Sequence, residues 1–521
     1  MLVLWPATMG RSFFQGGFGV CRKEDKRMDL FYKSTRDSKV RATASQAILQ
    51  GLSEDGGLFV PEAVPALPVS LKELADMSYQ ETAYAVMSCF LTDFTEEELK
   101  DCIAKAYDSK FDLPEIAPLT KAEGAYYLEL FHGATIAFKD MALSILPHLM
   151  TVSARKNQVK EEIVILTATS GDTGKAALAG FADVPRTRII VFYPKDGVSP
   201  IQEKQMVTQK GDNTFVAGIR GNFDDAQSGV KAIFGDAAFK EELSGKGFRF
   251  SSANSINIGR LVPQIVYYVY AYAKLFADGE IEENEQINVA VPTGNFGNIL
   301  AAYYAKQMGL PIGKLICASN DNKVLYDFFR TGCYDRNREF LLTSSPSMDI
   351  LISSNLERLI YQIADQNDET DRRLMKELAE SGRYEITSAM EEKLGDFWGG
   401  YGSQEEAAAA IRSVYEAVGY VMDTHTAVAS CVYGKYRKET GDNTKTVIAS
   451  TASPYKFTRS VMEALGKNAE GMDDFELADA LAELSGVPVP KAVEGIRSAK
   501  VLHNTVVNAE EMKQAVKEFL G

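Results

Sequence analysis

Ile163-Val164-Ile165-Leu166-Thr167-Ala168-Thr169-Ser170-Gly171-Asp172-Thr173-Gly174-Lys175 passes from an apolar run into a turn of small and hydroxyl-bearing residues, and Ala176 to Phe181 continues it as a helix. A run that is apolar at every position, rather than at every second one, marks a strand buried on both faces. A helix after it marks the crossover of a parallel sheet. The pattern recurs at Ile189–Phe192, Ile287–Val291, Leu315–Cys317 and Val447–Ala449. The expected fold is therefore α/β, built on parallel sheets with intervening helices. With 521 residues the chain exceeds one ordinary core, and about two to four domains are expected.

Outward from these strands the chain changes character. Asp55-Gly56-Gly57 is a turn signal before the strand-like Leu58–Val60, which Pro61 closes. Thr95, followed by Glu96, Glu97 and Glu98, starts a helix to Ala106. Residues 28–113 read as a small N-terminal domain, with Pro114 near its boundary, and 114–521 as two α/β subdomains. Residues 365–402 are charged and read as a helical, solvated insertion. From Met472 to Gly521 two or three amphipathic helices are expected. Leu261 to Ala273 is too short for a bilayer and reads as a buried helix. Residues 1–27 lack the continuous apolar stretch of a secretory signal. They read as an extension outside the fold, either a transit peptide or a tail, with Met28 a candidate start.

Composition narrows the function. Hydrophobic residues are 45% and charged residues 24%, ordinary for a soluble globular protein. A net charge of -15 argues against nucleic acid, whose phosphates demand clustered Lys and Arg. No membrane span is read. The six cysteines show no CxxC spacing. That argues against a metal site or disulfide framework and for a reducing, cytoplasmic location. An anionic ligand would need a local pocket rich in cations or N–H groups to overcome the global field.

Three strand ends supply such pockets. Thr169 to Lys175 aims backbone N–H groups at a helix N-terminus, where an anion is favoured. A nucleotide P-loop, the third reading, is weakened because Thr169 replaces the first glycine and Ala176 the hydroxyl after Lys175. Gly294-Asn295-Phe296-Gly297-Asn298 also lies between a strand and a helix, and its glycines permit close backbone approach to a phosphate. Ser450 and Thr451 end a third strand with hydroxyls that can meet a ligand in the crevice there. Lys139 stands among Phe138, Met141, Ala142 and Leu143. Apolar surroundings disfavour its charge and expose a nucleophilic amine, the group that forms a Schiff base with an aldehyde cofactor.

At these residues the chain resembles the threonine synthase family of fold type II (tryptophan synthase β-like) pyridoxal-phosphate enzymes, in its longer bacterial and fungal form. HGATIAFKDMA around Lys139 is similar to that family's cofactor-lysine motif. Further motifs follow in the family's order: STR at Ser34, DGGLFVPE from Asp55, TSGDTG from Thr169, SANSINIGRLVPQ from Ser252, GNFGN from Gly294, SPSMDI from Ser345, SSNLER from Ser353, DTHTAV from Asp423 and STASPYKF from Ser450. The family commonly has proline where Ala134 stands, and His-Pro-Ala where Ser453-Pro454-Tyr455 stands.

The resemblance implies pyridoxal 5'-phosphate bound as a Schiff base on Lys139, which then acts as general acid and base. It implies the cofactor phosphate on Gly294, Asn295, Phe296, Gly297 and Asn298. Thr451, with Ser450, would face the pyridine nitrogen. The substrate carboxylate would lie on Thr169, Ser170, Gly171, Asp172 and Thr173, and its phosphate on Asn254, Ser255, Arg260 and Lys204. The implied reaction converts O-phospho-L-homoserine and water to L-threonine and phosphate by γ-elimination and β-addition of water, the last step of threonine biosynthesis, in a monomer or homodimer. The competing readings are a threonine or serine dehydratase, which needs no substrate-phosphate site around Asn254 to Arg260, and a ligand-binding paralogue without activity.

Overall fold

The structure, a computed structural model, describes residues 29–169 and 171–521. The readings placed on residues 1–27, Met28 and Ser170 lie outside the described residues. The larger sheet has six strands in the order Phe397–Tyr401, Ile312–Ser319, Ile287–Pro292, Thr446–Ser450, Ala125–Glu129, Leu119–Ala122. Neighbours run parallel except the last pair, an antiparallel hairpin at the edge. The smaller sheet has five parallel strands in the order Thr505–Asn508, Thr214–Arg220, Thr187–Pro194, Glu162–Ala168, Phe248–Ser251.

The five apolar runs that suggested parallel strands all lie inside these sheets, and every residue of Ile287–Pro292 is buried. Burial on both faces is what made them continuous rather than alternating. The apolar stretch at Leu261 becomes the helix Ile258–Ala277, buried almost throughout. Among the described residues no helix is long and apolar enough to cross a membrane.

The N-terminal segment is built as read, with Phe59–Pro61 a strand and Thr95 closing a reciprocal capping box with Glu98 on helix Glu96–Ala106. It has no core of its own. Helices Leu71–Ala75 and Tyr79–Phe90 pack on Ile258–Ala277, and their apolar residues run into one continuous cluster with it. The Tyr79 ring meets Tyr107 and Tyr270 edge-on at 5.0 and 5.2 Å. The helix beneath the site is thus braced from outside by this segment.

Two readings need correction. The charged stretch 365–402 does carry an exposed helix, Asp368–Ser381. Its end, however, is the edge strand Phe397–Tyr401, in register with Leu315–Ser319 of the larger sheet. Phe-Trp-Gly-Gly-Tyr has neither alternation nor a β-branched run. Its glycines serve close packing: a Cβ at Gly399 would lie 2.8 Å from Phe329 Cβ, and one at Gly400 2.5 Å from the Trp398 ring. The C-terminal stretch does form three helices, Asp474–Ser485, Lys491–Arg497 and Met512–Leu520. It also supplies the strand Thr505–Asn508 to the smaller sheet, so the chain leaves that sheet, builds most of the larger one and returns.

The contact that sets the two sheet units beside the reactive lysine is a helix crossing. Asp140–Leu143 lies against Asp172–Phe181, and a Cβ at Gly180 would fall 2.1 Å from the Leu143 carbonyl oxygen. Only glycine lets the two backbones approach so closely. Gly180→Ala is expected to destabilise the protein by about 1–3 kcal/mol, the usual cost of overpacking. A thermal melt that falls by several degrees checks this; an unchanged midpoint would contradict the crossing.

Candidate active site

Lys139 opens the short helix Asp140–Leu143. The loop before it is tied down by Asp140, whose carboxylate accepts from the Thr135 N–H at 2.7 Å and the Thr135 hydroxyl at 2.6 Å. Gly133 is required there, because a Cβ would sit 2.6 Å from the Asp140 side chain. The loop is stitched to the end of strand Thr446–Ser450: Phe138 N–H donates to the Thr451 carbonyl at 2.8 Å, Ser453 N–H to that of Ile136 at 3.0 Å, and Ala137 bridges Ala452. Lys139, Ser450 and Thr451 are therefore neighbours by construction.

The lysine is buried, 9% exposed. Burial pushes its pKa down; Asp172 opposes the shift, and Lys456 and Arg260 reinforce it. Its Nζ donates to Ser347 Oγ at 3.1 Å and lies 3.6 Å from Asp172 Oδ2. Ser347 Oγ donates onward to Asp172 Oδ2 at 2.8 Å, and Gln202 Nε2 donates to Asp172 Oδ1 at 2.9 Å. The Ser347 N–H is held by His425 Nε2 at 3.2 Å, and His425 Nδ1 lies 2.8 Å from Asp423 Oδ2. Since Nε2 accepts, Nδ1 carries the proton and donates to Asp423, which fixes one neutral tautomer.

The turn 293–298 is shaped from behind. Ser353 Oγ donates to the Gly294 carbonyl at 2.7 Å, and Asn355 donates to the Asn295 carbonyl from its backbone at 3.1 Å and its side chain at 3.0 Å. With its carbonyls engaged outward, the turn leaves its N–H groups to the helix N-terminus. Phe296, at φ 63°, ends the turn, and no side chain caps the helix Gly297–Gln307. A Cβ at Gly294 would sit 2.5 Å from the Ser347 carbonyl oxygen, which presses the turn against the Lys139 cluster. Asn298 accepts from Tyr268 OH, and its buried Nδ2 has no partner. Uncapped N–H groups beside a buried, unpaired amide donor fit an anionic group such as the cofactor phosphate.

Arg260 gives a second sign of a place suited to an anion. It is 4% exposed, and its Nη1 donates to the Ala253 carbonyl at 2.9 Å. It has no carboxylate partner among the described residues, and its buried Nε is unpartnered. Burial pushes its pKa down to about 10. A buried guanidinium is costly unless an anion meets it. Four buried cations (Lys139, Lys175, Lys456, Arg260) outnumber three buried carboxylates (Asp140, Asp172, Asp423) around this site. A chain with net charge -15 thus concentrates positive charge where a phosphorylated ligand would lie.

Not every expected residue joins the cluster. Thr169 spends its hydroxyl inside its own loop, accepting from the Gly171 and Gly174 N–H groups at 3.0 Å each. Thr173 is half-buried on the helix that follows. Asn254 is exposed and lines a hollow of about 640 Å³ with Gln50, Phe234 and Phe250. Ser255 is half-buried beside it, and Lys204 is half-buried on helix Pro200–Val207. No side-chain bond among the described residues joins these three to Arg260. Conversely Ser347, His425, Gln202 and Lys456 went unassigned. All but Gln202 lie in motifs that the sequence displays, SPSMDI, DTHTAV and STASPYKF, yet nothing in those strings says which side chain turns inward.

Comparison with known proteins follows the same lines. A family model of the threonine synthase N terminus matches residues 31–107, one of pyridoxal-phosphate dependent enzymes 110–452, and one of the threonine synthase C-terminal region 426–507. The chain is 42% identical to threonine synthase-like 1 of Homo sapiens over 81% of its own length, and spans 58% of that protein. It is 34% identical to threonine synthase of Saccharomyces cerevisiae over 94% of its own length and 98% of that protein. The crystal structure of pyridoxal-phosphate-bound threonine synthase from Brucella melitensis matches with a TM-score of 0.83 at 34% identity, covering 94% of this chain and 99% of that one.

The turn 293–298 yields a direct test. Gly294→Ala drives a methyl into the Ser347 carbonyl and displaces the turn from the Lys139 cluster. Affinity for pyridoxal phosphate, followed by visible absorbance, is expected to fall at least tenfold, beyond the modest drop in melting temperature that the overpacking itself brings. Unchanged affinity would contradict this placement of the turn.

Proposed function

The chain belongs to the threonine synthase family of pyridoxal-phosphate-dependent enzymes, and from that premise we propose that it converts O-phospho-L-homoserine and water to L-threonine and phosphate. The observation that carries the substrate is Arg260, a buried guanidinium without a carboxylate partner. A dehydratase acting on an unphosphorylated amino acid has no use for that charge.

Pyridoxal phosphate, when bound, supplies the electron sink that stabilises negative charge on the substrate's carbons. The chain's own residues do the rest. Lys139 would provide the amine for the cofactor aldehyde, and burial lowers its pKa, which favours the neutral amine that can take and return a proton. The N–H groups of Gly294 to Asn298, with the Asn298 side-chain amide, hold the cofactor phosphate. Thr451 and Ser450, buried at the strand end stitched to the lysine loop, would offer neutral hydroxyls to the ring nitrogen. Gly171 to Thr173, with Thr169, would face the substrate carboxylate from the smaller-sheet unit. Arg260 grips the leaving phosphate, with Asn254, Ser255 and Lys204 approaching as that unit closes. Closure is the means by which water is admitted only after elimination. A cytoplasmic monomer or homodimer accords with this reading.

Incubation with O-phospho-L-homoserine is expected to release phosphate and threonine in equal amounts. Phosphate without threonine would replace the proposal with a simple phospho-lyase, and release of neither would refute it. Arg260→Ala removes a charge-assisted contact worth about 1.5–3 kcal/mol. It is expected to raise the Michaelis constant for the phosphorylated substrate more than tenfold, with cofactor affinity within about twofold of wild type. Equal loss of both would assign Arg260 to structure alone.

A further inference from the structure

Lys456 has no role in the assignments above, yet it is among the most deeply buried charges in the protein. Its side chain is 1% exposed. It ends the single turn Pro454–Lys456, just past the strand that delivers Ser450 and Thr451. Its Nζ lies 3.1 Å from Asp172 Oδ1 and donates to the Thr135 carbonyl at 3.0 Å. One ammonium group therefore joins three segments: the strand end of the larger sheet, the loop that leads to Lys139, and the Gly171–Gly174 loop on the smaller-sheet unit.

Asp172 needs such a partner. It stands at the start of helix Asp172–Phe181, 8% exposed, and every group that holds it besides Gln202 comes from across the cleft: Lys456, Lys139 and Ser347. Burial opposes its ionisation, but Lys456, Lys139 and the Ser347 hydroxyl together hold its carboxyl well below the usual carboxylate range. Of the two lysines, Lys139 is the amine assigned to the cofactor, so it cannot serve as a constant counter-charge. Lys456 can: its other neighbours are Asp140 and Lys175, both fixed by their own contacts with Thr135 and Gln209. A buried carboxylate left without its cation is strongly destabilised, which makes the pair a fastening rather than an ornament.

We propose that Lys456 is a positioning residue that keeps Asp172 charged and fastened across the cleft, so that the Gly171–Gly174 loop stays in register with Lys139 whatever the Lys139 amine is bonded to. The proposal rests on the assignment of Lys139 to the cofactor. It also gives the departure at Ser453-Pro454-Tyr455 a limit: the pocket wall has changed, but the lysine that follows still reaches Asp172.

The test compares wild type, Lys456→Gln and Lys456→Gln/Asp172→Asn as cofactor-loaded enzymes. In Lys456→Gln, Asp172 loses its constant cation and its pKa rises. A carboxylate that must be charged is lost as pH falls through its pKa, so activity should acquire an acidic limb that wild type lacks, with kcat/KM at least tenfold lower below it. The visible spectrum of bound pyridoxal phosphate should titrate over the same range. In the double variant, which has no carboxyl at 172, limb and titration both vanish. A Lys456→Gln profile parallel to wild type, or a limb that survives Asp172→Asn, overturns the proposal. If Lys456→Gln does not fold, the neutral amide pair of the double variant is expected to restore folding, and failure of both overturns it too. The spectral titration needs no turnover, so a wild-type protein inactive on O-phospho-L-homoserine would refute the proposed reaction and still leave Lys456 decided.

Discussion

Burying positive charge inside an acidic protein is the constraint around which the rest is arranged. Lys139, Lys175, Lys456 and Arg260 are each less than a tenth exposed, and each is stable only where a carboxylate, a carbonyl or a ligand anion meets it. Asp140 and Asp172 meet part of that need. They also set the geometry: Asp140 ties the lysine loop to itself, and Asp172 ties the two sheet units together. The remainder is concentrated on Arg260 and the uncapped helix at Gly297, the two places proposed to meet phosphate groups.

The two anion-binding places are not independent. Arg260 and Tyr268 stand on the same helix, Ile258–Ala277. Gln264 donates to the Arg260 carbonyl at 2.8 Å, and Tyr268 hydrogen-bonds Asn298 at the end of the turn 293–298. Arg358 adds an outer tie, donating to the carbonyls of Phe59 at 3.0 Å and Ile256 at 2.6 Å and to Asn355, which in turn holds the Asn295 carbonyl. The N-terminal segment thus braces the helix and the turn together, which explains why it shares their core rather than forming its own.

What the sequence displays and what it hides follow from the same physics. Strands buried on both faces are continuous apolar runs, so the centres of both sheets could be read. Edge strands are not: Phe397–Tyr401 is shaped by close glycine packing, and Thr505–Asn508 is short and half-exposed. Lys139 and the turn from Gly294 to Asn298 stand out in the sequence because glycine spacing and an apolar setting are local signals, while their expected roles came from the resemblance. Ser347, His425 and Lys456 do not, because their importance lies in what faces them from segments 78 or more residues away. Asp172 could be read as part of an anion loop. That it is held by two lysines from the opposite unit could be seen only in three dimensions.

The central claim is that one buried amine, and no other, carries the cofactor. Three lysines crowd this site, so chemistry rather than proximity must decide among them. Borohydride reduction of the pyridoxal-phosphate-loaded protein, followed by digestion and mass mapping, tests this directly. The account predicts the reduced phosphopyridoxyl adduct on Lys139 alone. An adduct on Lys175 or Lys456, or none on any of the three, would contradict it.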